Sequence, residues 1–212
     1  MKFAAGDASA VRDAAFWELR YKWHDTGWDL AAPAPPLVEY FQRADAPKPP
    51  GRVLVPGAGR GHDALFLAKL GFKVLAVDFA KHALDGIRRR RRDIWIPADQ
   101  CKTLRSDILH LPARLSGSFE LIVEHTCFCA IDPKLRDGYV TMARQILVPG
   151  GMLIGLFYPF RAEAPGPPFP VSESEMRARF EPFFEILHFE TPANSVEKRK
   201  GEERLIVMQK KN

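Results

Sequence analysis

Three features of this 212-residue sequence predict an α/β fold, a mostly parallel sheet with helices on both faces. After Gly51, short apolar runs alternate with amphipathic stretches, the order that builds parallel strands joined by crossover helices. The run Val53-Leu-Val-Pro-Gly-Ala-Gly-Arg-Gly-His-Asp63 takes a strand into a glycine-rich bend and then a helix. Acids recur where the next two strands should end, at Asp78 and Asp107.

The elements follow in order. Residues 13–28, DAAFWELRYKWHDTGW, predict an aromatic-rich helix ending near Gly27, with Trp17 and Tyr21 on one face. Proline-rich AAPAPP and APKPPG bracket a short helix, LVEYFQRA, whose Leu37, Tyr40, Phe41 and Ala44 share a stripe. Residues 1–50 thus read as a lid and linker, and 51–212 as the core, of a single domain. RVLVP is the first strand, and Asp63 is expected to cap the helix ALFLAKL, which Gly71 ends. KVLAVD is the second strand, followed by a helix that finishes in Arg88 to Arg92. TLRSD, ending at Asp107, and FELIVEH are the third and fourth strands. Asp132-Pro133 is expected to start a helix with Val140, Ala143 and Leu147 inward, and Pro149-Gly150-Gly151 to turn it into the strand MLIGLFYPF. The loop APGPPFP, the helix SESEMRARF and two strands, FFEILHFE and ERLIVMQ, complete the chain.

Composition narrows the function. With 46% of residues hydrophobic the chain can bury a core, yet no apolar run approaches the roughly 20 residues of a membrane span. The start MKFAAGDASAVRD lacks the apolar stretch of a signal peptide, so a cytoplasmic protein is expected. Three cysteines make no disulfide framework, and with scattered histidines the pair Cys127 and Cys129 predicts no metal site. A net charge of +5 and five consecutive arginines raise the question of nucleic acid. The arginine run reads better as the solvated end of a surface helix, where cations suit the helix C-terminus. A small-molecule partner, and a monomer, are expected instead.

In an open parallel sheet, ligands bind beyond the carboxyl ends of the strands, where strand order reverses. The first such end carries Gly57, Gly59 and Gly61 but no following Lys-Ser or Lys-Thr, which argues against nucleoside triphosphate hydrolysis. Asp78, about 20 residues beyond Gly57, can accept both hydrogen bonds of a ribose diol, a need shared by nicotinamide and adenosyl cofactors. Asp107 with apolar Ile108 suits an adenine ring, its carboxylate accepting the exocyclic amine; the alternative is a carboxylate that caps its own loop.

The stretches VLVPGAGRGHDALFLAKLGFKVLAVDFA, FELIVEHTCFCAIDP, LVPGG, LFYPF and APGPPF, in that order, resemble the thiopurine S-methyltransferase superfamily, nearest to its halide and thiol methyltransferases. The resemblance runs from about Trp17 to the end of the chain. It implies a Rossmann-like class I fold with seven strands, the last antiparallel, and an N-terminal helical lid. It also implies S-adenosyl-L-methionine as cofactor and S-adenosyl-L-homocysteine as product. The family's lid motif W-x3-W-x6-W-D matches Trp17, Tyr21, Trp28 and Asp29, with tyrosine replacing the middle tryptophan. By the same matching, Gly57 and Gly59 lie by the methionine part, Asp78 by the ribose, and Asp107 and Ile108 by the adenine. His125 stands where relatives carry a tyrosine or arginine that touches the cofactor.

Methyl transfer from a sulfonium is an in-line displacement, so alignment and exclusion of water matter more than a dedicated base. Tyr158 is the expected catalytic contact to a small anion, and His125 is the candidate base or positioning group. The expected acceptor is a small soft nucleophile: a thiol, sulfide, halide, thiocyanate or thiopurine. An NAD(P)-dependent oxidoreductase would share Gly57 and Asp78 but leave Trp17, Trp28 and Asp107 without a role. An RNA methyltransferase or RNA-binding protein would rest on Arg88 to Arg92 alone.

Overall fold

The computed structural model describes residues 8–161 and 164–212; the first seven residues of the stretch used above to argue against a leader lie outside the described residues. Among the described residues there are seven strands: β1 (Arg52–Pro56), β2 (Lys73–Asp78), β3 (Cys101–Arg105), β4 (Phe119–His125), β5 (Leu147–Phe157), β6 (Phe184–Glu190) and β7 (Arg204–Lys210). Six α-helices accompany them there: α1 (Ala14–Lys22), α2 (Pro35–Gln42), α3 (His62–Leu70), α4 (Lys81–Asp93), α5 (Arg136–Ile146) and α6 (Glu173–Phe180). One sheet holds all seven strands in the order β3-β2-β1-β4-β5-β7-β6, with β7 antiparallel to both neighbours. From β1 the chain winds outward through β2 and β3, then returns to place β4 on the other side of β1. That reversal opens a crevice above the ends of β1 and β4.

Strand β1 shows how the sequence produces the layers. Val53 and Val55 point into one core with Leu37 and Phe41 of α2, Leu67 of α3 and Ile87 of α4. Leu54 points the other way, into a core with Tyr139, Val140 and Ala143 of α5 and Phe180 of α6. A strand buried on both faces must be apolar at successive positions, which RVLVP is. Because α2 belongs to the first core, the N-terminal segment is built into the fold rather than appended to it.

Several boundaries differ from expectation. Helix α1 stops at Lys22, since His24 takes a left-handed backbone conformation (φ 56°) and turns the chain back. Trp28 therefore meets α1 by return of the chain, not by helical spacing. Ala44 falls beyond the end of α2 and is exposed, outside the stripe of Leu37, Tyr40 and Phe41. Gly61, at φ 78°, occupies the cap of α3, and Asp63 lies inside the first turn with its carboxylate directed elsewhere. Strand β3 ends at Arg105, two residues short of Asp107. A single turn at Pro133–Leu135 precedes α5, and Asp132 caps that turn by accepting the Lys134 amide. Pro149-Gly150-Gly151 becomes a bulge inside β5, because Leu147 already pairs with Phe119 before Met152 pairs with Leu121.

The arginine run forms the last turns of α4. Arg88 donates to Thr103 and pairs with Asp85, Arg90 reaches the Arg60 carbonyl, and Arg91 donates to the Cys101 carbonyl at 2.8 Å. Three of the five thus fasten the helix to its neighbours rather than all facing solvent. Among the described residues no helix is long and apolar enough to cross a membrane.

Candidate active site

The glycine bend is shaped by close neighbours. Gly57 and Gly59 sit at φ 57° and 55°, a region that costs an L side chain strain. A Cβ on Gly57 would lie 2.7 Å from Cys127 Sγ, and one on Gly59 would lie 3.1 Å from the Tyr21 hydroxyl. The bend therefore has to be glycine for the end of β4 and the lid to close on it.

Asp78 closes the second strand with both carboxylate oxygens engaged: Oδ2 accepts the Gly59 amide and Oδ1 the Ala80 amide, each at 2.8 Å. Burial pushes its pKa up to about 6 against the opposing effect of those amides. Each oxygen keeps a lone-pair direction for a hydroxyl donor.

Above the bend, three aromatic rings meet edge to face. Trp28 lies 5.6 Å from Trp17 and 5.7 Å from Tyr21, with interplanar angles of 77° and 83°. The Trp17 indole donates to the Val11 carbonyl at 2.9 Å, securing the turn before α1. Asp29 pairs with Arg60 at 2.8 Å and lies 3.1 Å from His62, hooking the end of the aromatic segment to the glycine bend.

Beneath this lid is a cavity of about 350 Å³. That size falls in the range of small-molecule sites. Gly57, Asp78, Asp107 and Ile108 line it, together with Cys129, Tyr158, Pro167, Pro168 and Arg199 and the lid rings of Trp17, Tyr21 and Trp28. Asp107 Oδ1 accepts the Leu109 amide at 2.8 Å and Oδ2 lies 2.7 Å from His110 Nδ1, so it caps its loop and also faces the cavity. Gly59 and His125 do not line this cavity; they line a smaller one that shares Trp28, Gly57 and Thr126 with it. Gly59 serves the larger site indirectly, through its hydrogen bond to Asp78.

His125 differs from expectation. Its Nδ1 lies 2.7 Å from Asp63 Oδ2 and its Nε2 lies 2.7 Å from Arg199 Nη1. With both ring nitrogens engaged and the ring outside the cavity, no lone pair faces a substrate, and the base role is not supported by the geometry. Arg199 is the residue that sequence reasoning missed. It sits in the turn Glu197–Arg199, its side chain is only 3% exposed, and its guanidinium carbon stands 5.2 Å from the Tyr158 ring centroid. In the sequence it stands between Lys198 and Lys200, with no apolar pattern around it to signal burial.

The loop after β4 also lines the cavity. Thr126 there has φ 57°, an unusual conformation for a β-branched residue. Glu124, fully buried, braces it: Oε1 accepts the amides of Cys127 and Phe128 at 2.6 and 3.0 Å. Burial pushes the Cys129 thiol up to about 12 and Cys127 well above its ordinary value. Both thiols stay protonated at neutral pH and present a soft but unreactive wall. Among the described residues no group of His, Cys, Asp and Glu could hold a metal ion.

A glycine bend, acids after two successive strands and an aromatic lid over a mostly parallel sheet define a Rossmann-like class I methyltransferase. The chain belongs to the thiopurine S-methyltransferase (TPMT) family, whose pattern matches residues 12–211. A probable thiol methyltransferase 2 of Arabidopsis thaliana is 33% identical over 192 residues, covering 89% of this chain and 82% of the relative. Thiocyanate methyltransferase 1 of the same plant is 30% identical, with the same coverage. A thiopurine S-methyltransferase of Vibrio cholerae is 26% identical, covering 80% of this chain and 82% of its own. Among solved structures, the fold superposes on Burkholderia thailandensis 1,6-didemethyltoxoflavin-N1-methyltransferase, bound to its substrate and S-adenosylhomocysteine. The TM-score there is 0.75 at 18% identity, covering 100% of this chain and 93% of that one. The protein is an S-adenosyl-L-methionine-dependent methyltransferase of small molecules. That assignment sets aside the NAD(P)-dependent oxidoreductase and the RNA-directed alternatives.

Proposed function

We propose that the methyl acceptor is a small, soft nucleophile that reacts as an anion: a thiolate, bisulfide, halide or thiocyanate. One observation carries this reading. Arg199, paired on one side with buried Glu203, places a buried guanidinium in the cavity wall against the Tyr158 ring, where Cys129, Pro167 and Pro168 also line the cavity. A desolvated guanidinium attracts an anion more strongly than it would in water, and it favours a thiol's ionised form. The naming of relatives for thiol and thiocyanate substrates agrees with it.

The residues divide the work. Asp78 accepts the ribose hydroxyls, Asp107 and Ile108 receive the adenine, and Gly57 and Gly59 let the backbone approach the methionine part. These groups fit the cofactor: two carboxylates with spare lone pairs and a bend whose space a Cβ would fill. S-adenosyl-L-methionine supplies a methyl group on a sulfonium that departs as a neutral thioether. Trp17, Tyr21 and Trp28 exclude water above the reacting atoms, and their faces suit a cation. Tyr158 and Arg199 hold the acceptor; no general base is required for an acceptor that arrives ionised. The same reading includes a monomer in the cytoplasm, where three buried unpaired thiols are at home.

The test is turnover of S-adenosyl-L-methionine with bisulfide, methanethiol, iodide, thiocyanate and a thiopurine, followed by headspace and product analysis. Methylation of the small anions ahead of the thiopurine is expected. Inactivity on every anion, in a protein that binds S-adenosylhomocysteine by calorimetry, overturns the reading.

A further inference from the structure

Asp63, His125, Arg199 and Glu203 form a continuous chain, half-buried at its first two members and buried at its last two, linking α3, the end of β4 and the connection between β6 and β7. Beyond the two contacts of His125, Arg199 Nη1 reaches Glu203 Oε1 at 3.2 Å, and Nη2 donates to the Trp28 carbonyl at 2.7 Å. A guanidinium nitrogen can only donate, so His125 Nε2 has to be the acceptor. Its Nδ1 then carries the ring hydrogen and donates to Asp63, which fixes one neutral tautomer. Asp63 is a strong orienter, because it also accepts the Ala34 amide at 2.8 Å. Burial works to raise its pKa, but the contacts with His125 and Ala34 outweigh burial and hold the carboxyl below its ordinary value.

We propose that His125 is a positioning residue for Arg199: a neutral acceptor, locked by Asp63, that sets the guanidinium at the acceptor end of the cavity and takes no proton from the substrate. The inference rests on the reading of Arg199 as the group that holds the anion. Counting hydrogens supports the role. Of the five guanidinium N–H groups, three bind His125, Glu203 and Trp28. Among the described residues, Nε and the second hydrogen of Nη2 have no hydrogen-bond partner, so the group is oriented without being used up. The bond to the Trp28 carbonyl also ties the lid to the same cation, so displacing Arg199 loosens the lid over the chamber.

Two measurements test this on the full-length enzyme. The first is the tautomer of His125, read from long-range nitrogen–proton correlations. A hydrogen on Nδ1 alone at neutral pH is expected whatever the acceptor proves to be; a hydrogen on Nε2 overturns the proposal. The second compares His125→Gln, which keeps an acceptor oxygen near the Nε2 position and cannot charge, with His125→Leu, which has none. With thiocyanate or bisulfide as acceptor, His125→Leu is expected to raise the acceptor KM by about ten-fold or more, with a smaller change in S-adenosylhomocysteine affinity. His125→Gln should stay within about three-fold of the parent in the acceptor KM. Equal loss of kcat in both variants at unchanged KM would indicate a proton-transfer role and sink the inference. If no anion is turned over by the parent enzyme, the acceptor reading fails, while the tautomer still decides the positioning geometry.

Discussion

Asp78 accepts the amide of Gly59 at 2.8 Å, joining the end of β2 to the glycine bend after β1. The bond lets one carboxylate shape two walls of the site: it fixes the bend, and its remaining lone pairs face the cavity. The cost of that arrangement is desolvation, which lifts the Asp78 pKa from 3.8 to about 6.

The raised pKa has a consequence of definite sign. Between those two values the folded state binds the proton more tightly than the unfolded chain. The contribution to stability is thus complete below about pH 4 and lost as pH rises through about 6. The amount at stake is of the order of 3 kcal/mol. With Asp78 at the ribose as proposed, cofactor binding is expected to run the other way, because the hydroxyls need an ionised acceptor. Affinity for S-adenosylhomocysteine should therefore increase as pH rises through about 6, measured by calorimetry with the enthalpy corrected for buffer ionisation. Asp78→Asn should bind at least about ten-fold more weakly and show no such step. Unchanged affinity across that range in the parent protein would remove Asp78 from the ribose site.

Gly57 is fixed by two independent constraints, and a double-mutant cycle separates them. Its φ of 57° penalises any L side chain, and Cys127 Sγ occupies the space a Cβ would need. Gly57→Ala should lower stability by about 1–3 kcal/mol and weaken cofactor binding as the bend shifts. Adding Cys127→Ala removes the sulfur at 2.7 Å but leaves the Cβ at 3.0 Å and the backbone strain. Denaturant unfolding should show partial recovery, with a coupling of about 0.5 kcal/mol or more. Strict additivity would mean that the bend moves away from β4 instead of pressing on it.

The parts of the site that were legible in the sequence are those set by local chemistry at strand ends. Gly57, Asp78, Asp107 and Ile108 follow from strand-then-turn patterns, and the structure brings all four to one cavity. Trp17 and Tyr21 share α1 as their spacing implied, but the helix expected to reach Gly27 ends at Lys22, and a left-handed His24 folds Trp28 back onto α1. Arg199 was not legible. Glu203 is a local partner four residues on, but the contacts of Arg199 with His125 and Trp28, 74 and 171 positions away in the chain, are encoded by no local pattern. Asp63 failed for the same cause: a cap is a local expectation, whereas its actual partners are Ala34 and His125.

Glu124 supplies the last prediction. Its Oε1 holds two amides of the loop that carries the strained Thr126, while its Oε2 is buried with no partner, as is the hydroxyl of Tyr139. Burial, partly offset by the Phe128 and Cys127 amides, lifts its pKa from 4.5 to about 7. As with Asp78, the stability this contributes is present below about pH 4.5 and disappears as pH rises through about 7. Glu124→Gln keeps an oxygen for both amides and replaces the unpaired Oε2 with a neutral donor. The variant should melt higher than the parent at about pH 8, with little difference at about pH 5, and the gap should be a few degrees for a chain of this size. Glu124→Ala should be destabilised at both values by roughly 2 kcal/mol or more, since two buried amides lose their acceptor. Thermal melts of the three proteins at both pH values decide it: a Glu124→Gln protein that melts below the parent at the higher pH would show that the carboxylate is ionised and held by an attraction that outweighs its burial.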